Sequence, residues 1–310
     1  MKHIPVLLAE CIDGLNIKPD GIYIDGSTGR GGHAREVVKK LQTGRLIAID
    51  RDAEAIEETR ELLTDYNDRI TYIHGNFKDI PVLLDELGIN HVDGMLFDLG
   101  VSSPHLDDEN NDRGFSYMKS SRLDMRMDKS EVLTAYEVVN TRDEEELKNI
   151  LFKYGEERYA AKIARAIVRE RIKTPIETTF DLNEIIMSAI PAAARREPQH
   201  PCKRSYQALR IVTNDELGAL KQMLETAPDR LRTGGRICIV SFHSLESRAV
   251  KTAFAAHSAK CICPDDFPVC VCSVKPKLKL ITRKAIKPQA EEISGNARAR
   301  SAELRIAQRM

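Results

Sequence analysis

The sequence predicts an α/β fold, a mostly parallel, doubly wound sheet with an all-helical domain inserted into it. Three observations carry this. Short apolar runs that end on a carboxylate or a glycine alternate with amphipathic stretches as far as Ser103. The alternation then stops, and residues 144–154, 156–173 and 181–190 carry apolar side chains at three- and four-residue spacing, the mark of amphipathic helices. A buried-strand pattern resumes at residues 234–242. An insertion within one α/β domain explains that order simply. It divides the chain into a first part, 1–104, an inserted helical domain, 105–206, and a second part, 207–310.

The first strand, Gly21-Ile-Tyr-Ile-Asp25, runs into Gly26-Ser-Thr-Gly-Arg-Gly-Gly-His33, and a helix starts near Ala34. Glycines in this turn allow positive φ and let a ligand approach the main chain. Unpaired N–H groups at the helix start favour a polar or anionic ligand group. The second strand, residues 45–50, ends on Asp50, placed to accept both hydroxyls of a ribose. A long helix opens directly after it. Residues 69–77 and 92–100 read as the next two strands, each ending in polar or aromatic residues that line the carboxyl edge of a sheet. Cofactors of doubly wound folds sit at that edge, so this is a nucleotide-type cofactor site. Gly29-Arg-Gly-Gly-His-Ala34 also fits a dinucleotide pattern. Asp25 weighs against it, because a carboxylate repels a pyrophosphate and welcomes an amino-acid ammonium.

Residues 105–112 are polar and acidic and read as a loop. Gly155 separates the first two inserted helices, Thr174-Pro175 stops the second, and Pro191, Pro198 and Pro201 mark an irregular return. Residues 205–231 read as one helix and 278–286 as a further strand. The net charge is zero, yet residues 1–154 hold an excess of carboxylates and residues 155–310 a matching excess of Lys and Arg. A basic block such as Lys275-Pro-Lys-Leu-Lys279 suits a nucleic-acid face, where alternating charges alone would mean solvated helix faces. No apolar run approaches a membrane span, and Ile4-Pro5-Val6-Leu7-Leu8 meets Glu10 too soon for a signal peptide. The expectation is a soluble cytoplasmic protein. Cys261-x-Cys263 and Cys270-x-Cys272 form two close pairs, open to two readings: one tetrahedral zinc, for which one-residue gaps are tight, or a reduced hairpin. A catalytic metal has no support in the sequence.

A resemblance emerges from the ordered set Asp25-Gly-Ser-Thr-Gly, Ile49-Asp-Arg-Asp52, Gly75-Asn-Phe77 and Asp98-Leu-Gly-Val-Ser-Ser-Pro104. It is similar to the successive motifs of S-adenosylmethionine-dependent methyltransferases, and more narrowly it resembles the bacterial ribosomal RNA small subunit methyltransferase H family, also called MraW. Later segments extend the likeness over practically the whole chain: Arg113-Gly-Phe-Ser-Tyr117, Leu123-Asp-Met-Arg-Met-Asp128, Tyr154-Gly-Glu-Glu-Arg158, Gln207-Ala-Leu-Arg210, Ser241-Phe-His-Ser-Leu-Glu246 and Asn296-Ala-Arg-Ala-Arg-Ser301. The resemblance implies a Rossmann-like class I methyltransferase domain whose helical insertion helps to recognise substrate. It implies S-adenosylmethionine as cofactor and, as partner and substrate, a cytosine exocyclic N4 of 16S rRNA in the small ribosomal subunit. The implied cofactor contacts are Gly31, Gly32, His33, Asp50, Phe77 and Asp98, with His105 standing where the family usually has Gln.

A sulfonium methyl is already activated, so the enzyme mainly holds it in line with the nucleophile. The N4 amine is conjugated with its ring, and an acceptor for an N4–H shifts density onto nitrogen. Asp98 is the candidate catalytic residue for that role; orienting the cofactor or the loop is its alternative. Two other functions compete: a nicotinamide-dependent oxidoreductase, which lacks a recognisable hydride-transfer site, and a non-catalytic RNA-binding or ribosome-assembly factor. The sequence leaves open whether two copies pair as a homodimer.

Overall fold

A computed structural model describes residues 5–101, 113–261, 263 and 272–310. In chain order the first part runs α1 (Leu8–Leu15), β1 (Ile22–Asp25), α2 (Gly32–Lys40), β2 (Arg45–Asp50), α3 (Ala53–Leu62), β3 (Ile70–His74), α4 (Ile80–Glu86) and β4 (Val92–Asp98). There follow α5 (Ala135–Thr141), α6 (Glu144–Gly155), α7 (Ala160–Arg171), α8 (Thr179–Ala189) and α9 (Lys203–Thr213). The last part comprises α10 (Glu216–Thr226), β5 (Leu231–Ser241), α11 (Ser244–Ser258), β6 (Leu278–Leu280), α12 (Ala290–Gly295) and β7 (Glu303–Arg309).

The chain forms two compact units, residues 1–100 with 217–310, and residues 101–216. In the first, the described strands make one seven-stranded sheet in the order β3-β2-β1-β4-β5-β7-β6. The five strands from β3 to β5 are parallel to their neighbours, and β7 and β6 pair antiparallel at the edge. Alternate residues along each strand feed two cores, one on each face. Tyr23, Leu46, Ala48, Leu96, Cys238 and Ile306 face one of them; Ile24, Ile47, Met95, Phe97, Ile237 and Ile239 face the other. Burial on both faces is why the parallel strands read as continuous apolar runs. Chain order reverses between β1 and β4, so the topological switch point lies there, where such folds bind ligands.

In the second unit the helix starts are set by side chains. Thr134 with Glu137, Asp143 with Glu146, and Thr178 with Asp181 form capping boxes at the starts of α5, α6 and α8. Caps of this kind stabilise by about 1 kcal/mol each. The apolar faces of these helices close on a core that includes Leu147, Ile163, Ile167, Leu182, Ile186 and Leu209. A Cβ on Gly155 would meet the Arg204 carbonyl oxygen at 2.5 Å, so its glycine permits the close approach of α6 and α9. This packing keeps α9 in the second unit, which runs through residue 216 instead of ending at 206.

Several elements differ from the sequence expectation. The helix expected over 205–231 is broken after α9. Asn214 turns its side chain inward, donating to the Met125 carbonyl and accepting the Met127 N–H at 2.7 Å each, and Asp215 takes a left-handed φ of 47°. The helix expected from 156 starts at Ala160. The strand expected over 278–286 is confined to β6 plus a single bridge from Ile286 to Leu304. Among the described residues no helix is long and apolar enough to cross a membrane.

Candidate active site

Strand register creates a notch at the carboxyl edge of the sheet. Asp25, the last residue of β1, lies level with Ala48 on β2 and Leu96 on β4. Asp50 and Asp98 each stand two residues further along those flanking strands, so both project past the end of β1. The turn after β1 passes between them. A Cβ on Gly26 would lie 2.3 Å from the Phe97 ring, so only glycine lets the chain leave the strand here. Phe77 packs edge-on against the same ring, with centroids 5.7 Å apart.

The glycine turn is tied down from several sides. Thr28 donates its hydroxyl to the Asp25 and Ile49 carbonyls, at 3.1 Å each. The Thr59 hydroxyl on α3 donates to the Gly29 carbonyl at 2.9 Å. Gly29 and Gly31 take φ of 52° and 74°, and a Cβ on Gly31 would lie 2.9 Å from the Thr59 methyl. Gly32 opens α2 and lies so close to the Pro5 ring that a Cβ would meet it at 2.3 Å. Asp50 accepts the Gly29 N–H at 2.7 Å through one oxygen and the Asp52 N–H at 2.9 Å through the other. Its carboxylate therefore anchors the turn and the approach to α3 as well as facing the notch.

The other side of the notch is electrostatically different. Asp25 is buried and accepts the Ser27 N–H at 3.3 Å through Oδ1. Its Oδ2 is buried with no hydrogen-bond partner among the described residues. Burial, opposed by the Ser27 N–H, reinforced by Asp50 and opposed more weakly by the Ala34 N–H, pushes its carboxyl up to about 7. Asp98 keeps 18% of its side chain exposed, while its Oδ1 is covered and likewise unpartnered among the described residues. Burial, then the charges of Asp25 and Glu246, hold the Asp98 carboxyl well above the ordinary range. The Ser27 hydroxyl accepts the Asp98 main-chain N–H, joining the turn to β4.

His33 sits in the first turn of α2 and is buried. Its Nε2 lies 3.1 Å from the Val6 carbonyl, which can only accept, so Nε2 carries the proton. Its Nδ1 faces Asp98 Oδ2 at 3.6 Å.

All 310 residues match the sequence pattern described as the MraW methylase family. Ribosomal RNA small subunit methyltransferase H of Halothermothrix orenii is 53% identical over 100% of this chain and 99% of its own length. The protein of the same name from Clostridium botulinum is 51% identical over 100% and 99%, and that of Brevibacillus brevis 48% over 99% and 98%. The chain belongs to the MraW methylase family.

A methylase of this family needs a polar cradle for the donor and a place for a cation, and the notch offers both. Two carboxylate oxygens, on Asp25 and Asp98, are buried without hydrogen-bond partners among the described residues, which suits a cationic ligand such as an ammonium or sulfonium. Asp50 has acceptor capacity beyond its two main-chain bonds, because an ionised carboxylate offers about four lone-pair sites. Of the residues expected from the sequence, the structure brings Gly31, Gly32, His33, Asp50, Phe77 and Asp98 around the β1–β2–β4 edge. His105 lies outside the described residues.

Sequence reasoning read Ser27 and Thr28 only as part of the glycine turn and missed their bonds to main chain; it missed Thr59 altogether, which stands in no motif. It also missed the local role of Ser241-Phe-His-Ser-Leu-Glu246. His243 caps α11 by accepting the Glu246 N–H, while buried Glu246 accepts the Phe242 N–H at 2.9 Å. A cap residue followed three positions later by Glu was the available signal.

Proposed function

We propose that this methylase transfers the methyl group of S-adenosylmethionine to the exocyclic N4 of a cytidine in 16S rRNA of the small ribosomal subunit. The observation that carries the reading is the Asp98 carboxyl: it ends β4 beside the notch, its Oδ1 has no hydrogen-bond partner among the described residues, and it stands next to His33 and Asp25. When bound, the donor would supply an activated methyl on sulfur for transfer to N4. Asp50 would hold its ribose hydroxyls, Asp25 its ammonium, and Phe77 would line the adenine side. Asp98 accepts an N4–H and takes the proton that nitrogen must lose on gaining the methyl. A carboxyl raised by burial is the stronger base for that step.

The names of the relatives support small-subunit rRNA as the substrate, and the basic second half of the chain supports a polyanionic partner. On this reading the enzyme works in the cytoplasm, where small subunits are made, and the cytosine must be unstacked to reach Asp98. Binding should weaken steeply as salt rises. Mass spectrometry of 16S rRNA from cells with and without the protein tests it: loss of one N4-methylated cytidine is expected. Methylation of free cytidine as efficient as that of purified small subunits would overturn it.

A further inference from the structure

Away from the methyl-transfer notch, three cysteines converge in the connection between α11 and β6. The base of that connection is closed by the Lys277 N–H, which donates to the His257 carbonyl at 2.8 Å. Within it the sulfurs of Cys261, Cys263 and Cys272 all lie within 4.8 Å of one another. Cys261 and Cys272 have sulfurs 3.8 Å apart, too far for a disulfide between them. Thiolates about 2.3 Å from a tetrahedral zinc stand about 3.8 Å from each other, whereas a disulfide needs about 2.05 Å. The Cys263 N–H also donates to the Cys261 sulfur at 3.4 Å, and an N–H aimed at sulfur favours the thiolate that a metal needs.

We propose that Cys261, Cys263 and Cys272 bind one zinc ion, which clasps the connection from α11 to β6. The one-residue gap between Cys261 and Cys263 is tighter than in common zinc motifs, but zinc requires convergence in space, and the return of the chain at Cys272 supplies it. Three soft sulfurs select zinc over magnesium or calcium. Water or a further donor fills the fourth position; Cys270 lies outside the described residues, and the proposal does not rest on it. The role is structural: metal binding is folding free energy, and here it fixes the lead into Lys275, Lys277 and Lys279.

The test uses the full-length, untagged chain purified in reducing buffer without chelator. Elemental mass spectrometry should find about one zinc per chain, and exchange with cobalt should give the intense thiolate-to-cobalt absorption of a tetrahedral site. The Cys261→Ser and Cys272→Ser variants should each retain less than about a tenth of that zinc, with S-adenosylmethionine binding within about twofold of the parent. The cobalt spectrum is read on the parent, so it does not depend on the folding of a variant. The proposal is overturned if the parent, loaded with equimolar zinc, loses it on gel filtration and shows no cobalt–thiolate band. Equal zinc in the Cys261→Ser/Cys272→Ser double variant would also overturn it.

Discussion

Asp50 and Asp98 occupy matching places on either side of β1, each two residues beyond the level of Asp25, yet the fold treats them oppositely. Both Asp50 oxygens hold main-chain N–H groups of the glycine turn and of the approach to α3. Asp98 has one oxygen facing His33 and another with no partner among the described residues. One carboxylate builds the turn as well as facing the notch, and the other leaves an oxygen for a ligand alone. Equal position in a sheet does not confer equal chemistry; what decides it is whether the neighbouring turn turns its N–H groups toward the acid.

The sharpest way to break this comparison is Asp98→Asn, which keeps the shape and removes the charge. Turnover should fall on the order of 100-fold or more, as expected for losing a general base, while S-adenosylmethionine affinity changes by less than about threefold. Single-turnover kinetics with saturating cofactor and titration calorimetry separate the two. If affinity falls in step with rate, Asp98 holds the cofactor and the contrast with Asp50 disappears.

Asp50→Ala comes next in size and should cost in two currencies. Hydrogen bonds to a charged group contribute roughly 1.5–3 kcal/mol, so losing the ribose contacts should weaken cofactor binding on the order of 10- to 100-fold. Stability should drop as well, because the Gly29 and Asp52 N–H groups lose their acceptor. Asp98→Asn should show no such loss of thermal stability. A stable Asp50→Ala chain with a dissociation constant within about twofold of the parent would remove Asp50 from both roles.

Asp25 sharpens the comparison through pH. Its carboxyl titrates at about 7 in the folded chain, against an ordinary value of 3.8. The native state therefore binds the proton more tightly than the unfolded state. This contribution to stability is fully present below the ordinary value and is lost as pH rises through about 7. Its slope is at most about 1.4 kcal/mol per pH unit. Asp25→Asn should flatten that part of the curve and make the ligand-free chain relatively more stable at pH 8 than at pH 5, as denaturant melts would show. Cofactor affinity of the parent should rise with pH and level off above about 7, since the ionised form holds a cation. A pH-independent affinity would mean that Asp25 does not meet the ammonium.

The smallest effect separates backbone strain from packing. Gly31 and Gly88 take similar positive φ, 74° and 68°, but a Cβ on Gly31 would press on Thr59 and one on Gly88 would meet nothing within 4 Å. Gly88→Ala should cost about 1–2 kcal/mol from conformation alone. Gly31→Ala should cost more, and should weaken cofactor binding where Gly88→Ala does not. Equal losses in thermal melts would show that Thr59 simply yields.

Much of this was legible in residue order. Strands β1, β2 and β4 are buried on both faces, so their apolar runs are continuous, and they end on Asp25, Asp50 and Asp98. By contrast β7 was hidden, because at Glu303-Leu-Arg-Ile-Ala-Gln-Arg309 an antiparallel strand near the sheet edge mixes polar and apolar residues. The single helix expected over 205–231 failed for a different reason: Asn214 satisfies the main chain of Met125 and Met127, far away in sequence, and the helix ends to let it do so.

Residue order alone determined the alternation of strands and helices, the glycine turn, the aspartates that end β1, β2 and β4, and the family, since all of these rest on short-range periodicity and motifs read locally. Tertiary structure alone decided that β7 enters between β5 and β6, that Asp50 holds main-chain N–H groups, that oxygens of Asp25 and Asp98 are buried without partners among the described residues, and that three cysteine sulfurs meet. Each of those depends on which atoms the fold brings within about 4 Å, where desolvation and hydrogen bonding are decided, and no local pattern encodes that distance.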